Sequence, residues 1–78
     1  MPAGVADTLI ANVGNHRVIL HHLGGGLWRT RIAGAHTADF QNVYSSSDEA
    51  KADAVLFVEV QFRGWQVPAP AELQWIEA

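Results

Sequence analysis

The chain contains no cysteine. That excludes a disulfide framework and a thiolate metal site, and it leaves a domain of this size to be held by its core or by association. Charge is scarce as well. Five Lys and Arg stand against eight Asp and Glu, 17% of 78 residues and a net charge of −3, whereas a generic binder of phosphate backbone carries a basic balance. No run approaches the roughly 20 apolar residues that a membrane span needs, and the N-terminus lacks the basic-then-apolar pattern of a secretory leader. The expectation is a soluble, cytoplasmic protein with no membrane partner. What is present is a 49% hydrophobic composition, normal for a globular domain, which with so little charge implies a fairly apolar surface. One domain over 1–78 is expected, with 1–6 as a flexible lead-in and 66–78 as a Pro-rich connector and docking tail.

The strongest local signal is the run from Ser46 to Trp65. Ser46 and Glu49 have the spacing of a capping box, in which Ser46 accepts from the third helical amide and Glu49 reaches back to the amide of Ser46. Gly64 is the natural left-handed C-cap, with Trp65 folding back on the last turn. At 100° per residue Ala50, Ala54, Val55, Phe57, Val58 and Phe62 gather on one arc, with Lys51 and Gln61 as its polar members. The opposite arc holds Asp48, Glu49, Asp53, Glu59 and Arg63, with Glu59 and Arg63 at i,i+4. Leu56 and Val60 sit in the middle of this polar arc and call for a cover: the C-terminal tail, or a second copy in a symmetric homodimer. A strand over 58–63 competes, since Val58 to Arg63 alternates and is rich in β-branched residues. Both end signals favour the continuous helix.

Ahead of the helix the chain reads as strands. Thr8 to Val13 and His16 to Leu23 flank Gly14-Asn15, a two-residue hairpin turn. Gly24-Gly25-Gly26 then breaks the pattern and suits a bulged hairpin connection and also a mobile loop. In Leu27 to Ile32, Trp28, Thr30 and Ile32 point one way and Arg29 and Arg31 the other. Ala38 to Tyr44 leads to the helix cap. Pro68 and Pro70 keep the connector extended, and Leu73, Trp75 and Ile76 give the tail enough apolar surface to dock. The fold class expected is α+β, an antiparallel sheet of three to four strands packed on one main helix in two layers.

Catalytic chemistry finds no purchase in this pattern. His21 and His22 are adjacent on a strand and face opposite sides, and neither they nor His16 and His36 have a carboxylate at ligand spacing. Ser45-Ser46-Ser47 lacks the Gly-x-Ser-x-Gly elbow of a strained nucleophile, and capping explains it. Asp48, Glu49 and Asp53 fall where a helix dipole attracts acids. The glycine triplet is followed by a strand rather than a helix and lacks the lysine of a phosphate loop. No enzyme, metal or cofactor is expected.

Gly26-Leu27-Trp28 to Ile32, a further strand, and the segment Ser46 to Ala54 resemble two groups of small modules over about half of the chain. One is the integrase arm-binding and plant AP2-type DNA-binding domains; the other is the HicB-type antitoxin domains. The AP2-like resemblance implies DNA contacts by Arg29 and Arg31. In general character a small, acidic, Cys-free chain is similar to phage anti-CRISPR and other anti-defence inhibitors. The leading expectation is therefore a small non-catalytic protein-binding module, a phage-type inhibitor acting by surface occlusion, on a partner carrying basic groups. Its contact residues would be Arg29, Arg31, Leu56, Val60 and Trp75. The alternative is a nucleic-acid-binding module using the sheet face that displays Arg29 and Arg31.

Overall fold

Five segments of extended backbone and one helix form a single α+β unit in the computed structural model, which describes residues 7–77, with the backbone alone for Gln41. They run β1 (Thr8–Val13), β2 (His16–Gly24), β3 (Leu27–Gly34), β4 (Ala38–Tyr44), α1 (Ser47–Gly64) and β5 (Ile76–Glu77). All pairs are antiparallel, in the order β4-β3-β2-β1-β5. The expected three to four strands are thus exceeded by one. The additional strand comes from the tail, where Ile76 pairs with Ile10 and Glu77 with Leu9. The lead-in expected over 1–6 lies outside the described residues.

Turn chemistry sets the register. The two-residue loop Gly14-Asn15 places Val13 opposite His16, so Ile10 faces Ile19 and Ala11 faces Val18. In the second hairpin Gly25 and Gly26 both take positive φ, +60° and +78°, as a tight primed turn requires, and a bulge lies between His22 and Gly24. Gly34 closes the opposite end. At φ +118° it lets the chain pass so near the first hairpin that a Cβ there would lie 2.9 Å from the Cα of His16 and closer still to the Asn15 carbonyl oxygen.

The core lies between one face of the sheet and α1, which crosses β2, β3 and β4. Leu9, Ala11, Val18, Leu20, Trp28 and Ile32 meet Ala50, Ala54, Val58 and Phe62, all buried. The helical arc read from the sequence is the one that packs. Leu73 and Trp75 close against the same core. The continuous helix over 47–64 settles the strand alternative for 58–63, because Val58 and Phe62 occupy one helical face, four residues apart.

Both helix ends depart from the expected detail. Ser46 accepts from the amide of Glu49 at 3.2 Å as a cap should, but the Glu49 carboxylate takes the Ser45 hydroxyl at 3.0 Å. The side chain one residue earlier in the serine run supplies that donor. At the other end Gly64 remains helical, and Gln66 takes the left-handed conformation at φ +61°. The amide of Gln66 donates to the carbonyl of Arg63 at 3.1 Å and that of Val67 to Phe62 at 2.8 Å, the paired bonds of a Schellman closure. Continuing the helix through Gly64 keeps Trp65 where its indole reaches His16 and His36.

Candidate functional site

Alternation along the strands divides the sheet into a covered face and an open one. On the open face the paired positions form rows across the strands. Ile76, Ile10, Ile19, Arg31 and Asp39 make one row; Thr8, His21, Arg29 and Val43 make the next; Asn12, Arg17 and Ala33 make the third. Three of the five basic residues of the chain stand on this face, and Asp39 is the one acid among its paired positions. Its Ile10 and Ile19 are half-buried by their neighbours, whereas Ile76 is exposed. The Phe, Tyr and Trp side chains among the described residues pack on the covered side or in the helix layer.

Arg29 and Arg31 are brought together as the alternation predicted, and an irregularity in β4 shapes the space beside them. Arg29 pairs with Val43 and Arg31 with Asp39, so Phe40, Gln41 and Asn42 all fall opposite Thr30. The extra residues carry β4 out of the ladder. Arg29 Nε donates to the carbonyl of Phe40, 3.2 Å away, across that gap. Arg31 Nε approaches Asp39 Oδ1 at 3.5 Å, both side chains being well exposed. The result is a cavity of 350 Å³ lined by Ile19, His21, Leu23, Arg29, Thr30, Arg31 and Asp39.

The other expected contact residues lie elsewhere. Leu56 and Val60 are 58% and 65% exposed, so the tail does not cover them. It docks instead along β1, where a strand edge offers backbone hydrogen bonds that a helix ridge cannot. Trp75 is half-buried against the core, which engages it internally.

A second cluster was not anticipated. His16 is buried, its Nε2 lies 2.9 Å from Nδ1 of His36, and both rings lie nearly parallel to the Trp65 indole at 5.6 and 4.7 Å. The pair joins the start of β2, the β3–β4 loop and the end of α1. Its spacing of 20 residues carries no local signal; the β2–β3 register, which sets His16 opposite Gly34 just before the loop that holds His36, brings the two rings together. His22 stacks on Trp28 beneath the sheet while His21 stays on the open face, as their adjacency predicted. Among the described residues no three His, Asp or Glu side chains are placed to hold one metal ion. Burial, reinforced by the Asp53 carboxylate, pushes the Tyr44 phenol above its ordinary value of 10, so it stays protonated at neutral pH.

No known protein family, curated protein or solved structure matches this chain. Among the described residues no helix is long and apolar enough to cross a membrane.

Proposed function

We propose that the protein is a non-catalytic binding module that docks a protein partner on the open face of its sheet and acts by occluding that partner's surface. Inhibition of a host-defence complex by a phage-type protein is the form of this reading that the character of the sequence suggests. The observation that supports it is the composition of the face: an aliphatic row, Ile76, Ile10 and Ile19, bordered by Arg17, Arg29 and Arg31. Aliphatic surface ringed by arginine suits a desolvated protein contact with a polar rim. The net charge of the chain pointed to a basic partner, but charge is segregated. Four of the eight acids lie on α1, and the face offered for docking calls for an acidic patch around an apolar centre.

Nucleic acid is the second reading, favoured by the three arginines on one face. Single strands are usually held by stacking on aromatic rings, and this face presents no Phe, Tyr or Trp among its described positions. The test is affinity capture with the intact chain and with Ile19→Glu, followed by salt titration of whatever is retained. The expected result is a protein that Ile19→Glu releases and that tolerates moderate salt. Retention of nucleic acid instead, with affinity falling about one log unit per log unit of salt for each phosphate contact, would overturn the reading.

A further inference from the structure

We infer that the cavity beside the β4 irregularity receives a carboxylate on an aliphatic stem, the chemistry of a glutamate side chain projecting from the docked partner. This rests on the reading that the open face docks a protein. At 350 Å³ the cavity lies at the low end of ligand-site volumes, enough for one side chain and too small for a nucleotide with its neighbours. Its lining combines two chemistries. Ile19 and Leu23, on either side of His21 along β2, supply apolar surface where a methylene stem loses water favourably; His21, Arg29, Thr30, Arg31 and Asp39 supply the polar groups. Arg29 and Arg31 are two residues apart on one strand and project from the same face, and His21 is directly opposite Arg29 on the neighbouring strand.

The guanidinium of Arg29 is fixed in advance by its bond to the Phe40 carbonyl, so binding need not order it. A planar guanidinium fork matches a carboxylate in two parallel hydrogen bonds, geometry that an ammonium or a neutral amide does not reproduce. Asp39 stands in the way. Its carboxylate lines the same cavity and holds Arg31, but at 3.5 Å between exposed groups that pair is weak, and an incoming carboxylate can displace it. Arg29 and Arg31 line the cavity together with Asp39.

The arrangement predicts a gain of binding on loss of an acid. Hexanoate serves as the probe, with the backbone amides of the full chain followed by NMR and with sodium chloride, hexylammonium chloride and inorganic phosphate as matched titrants. Hexanoate is expected to shift the amides of His21, Arg29, Thr30, Arg31 and Asp39 saturably, with affinity on the order of millimolar for so small a ligand. Asp39→Asn should tighten it several-fold and Arg31→Gln weaken it about tenfold. Arg31 is exposed and holds no core contact, so its replacement leaves the fold intact. Shifts no larger than those of sodium chloride, tighter binding of phosphate than of hexanoate, or an unchanged affinity in Asp39→Asn would each overturn the inference. If hexanoate fails to bind while Ile19→Glu still releases a captured protein, the cavity inference falls and the docking reading stands. If hexanoate binds but no protein is ever captured, a partner's glutamate is overturned as the source.

Discussion

The two faces of the sheet are built from alternate residues of the same strands, yet only one of them accounts for the fold. On β3, Trp28, Thr30 and Ile32 are buried under α1 while Arg29 and Arg31 turn outward; on β2, Val18 and Leu20 are buried while Ile19 between them is not. An antiparallel sheet needs one covered face, and the covered face here already holds the aromatic side chains and the large buried aliphatics. The row of isoleucines on the other face lies outside that core. Its contribution to stability is limited to cross-strand contact, about 0.2–1 kcal/mol for each pair. Composition beyond that minimum is free to serve a partner.

The comparison breaks most readily at two adjacent residues. Leu20→Ala removes a fully buried side chain and should cost about 2–5 kcal/mol, a large share of what a domain of this size has. Ile19→Ala, one residue away on the open face, should cost about 1 kcal/mol. Urea unfolding midpoints of the two variants measure the difference directly. Equal losses would mean that the open face carries the fold as well, and the case for a face held in reserve for binding would collapse.

A smaller effect lies at the end of α1. Gln66 holds a left-handed conformation that costs an L residue about 1–2 kcal/mol and costs glycine nearly nothing. Gln66→Gly should therefore stabilise the protein by about 1 kcal/mol, read as a higher melting temperature with an unchanged denaturant slope. This sharpens the comparison, because the closure positions Trp65 on the covered side and leaves the open face untouched. Hexanoate affinity should not move.

Much of this architecture is legible in the chain. Period-two alternation assigns Trp28 and Ile32 to one face and Arg29 and Arg31 to the other, and the two-residue turn at Gly14-Asn15 fixes the register that sets Ile10 beside Ile19. The candidate face could have been drawn from those two facts. The cavity could not. It depends on β4 slipping by two residues opposite Thr30, in a stretch whose side chains read as an uninterrupted strand. The closure at Gln66 is hidden for a related reason: Gly64 is the better local choice, and contacts of Trp65 with two histidines distant in sequence override it. The fifth strand is an open choice rather than a hidden one. Alternation of Leu73 with Trp75 allows a short strand as readily as a helical turn, and the two residues that pair, Ile76 and Glu77, are too few to decide.

The smallest expected effect concerns the ridge of α1, the other exposed apolar surface. Leu56 and Val60 lie one turn apart at 58% and 65% exposure, flanked by Ala52 and Gly64, which add little apolar area. Their spacing allows a second copy to pack antiparallel, Leu56 against Val60 in both directions. Two such side chains from each copy nevertheless cover far less than the roughly 1,200 Å² at which specific interfaces begin. The double variant Leu56→Ser with Val60→Ser replaces one good helix former, Leu, and one residue of helix propensity similar to Ser, Val, both at exposed positions, so it should lower stability by less than about 1 kcal/mol. Unfolding followed at two protein concentrations tenfold apart should leave the midpoint of the parent and that of the variant each unchanged. A midpoint that rises with concentration in the parent and not in the variant would show the ridge to be a dimer interface, and the proposal that the open sheet face is the principal contact surface would then fail.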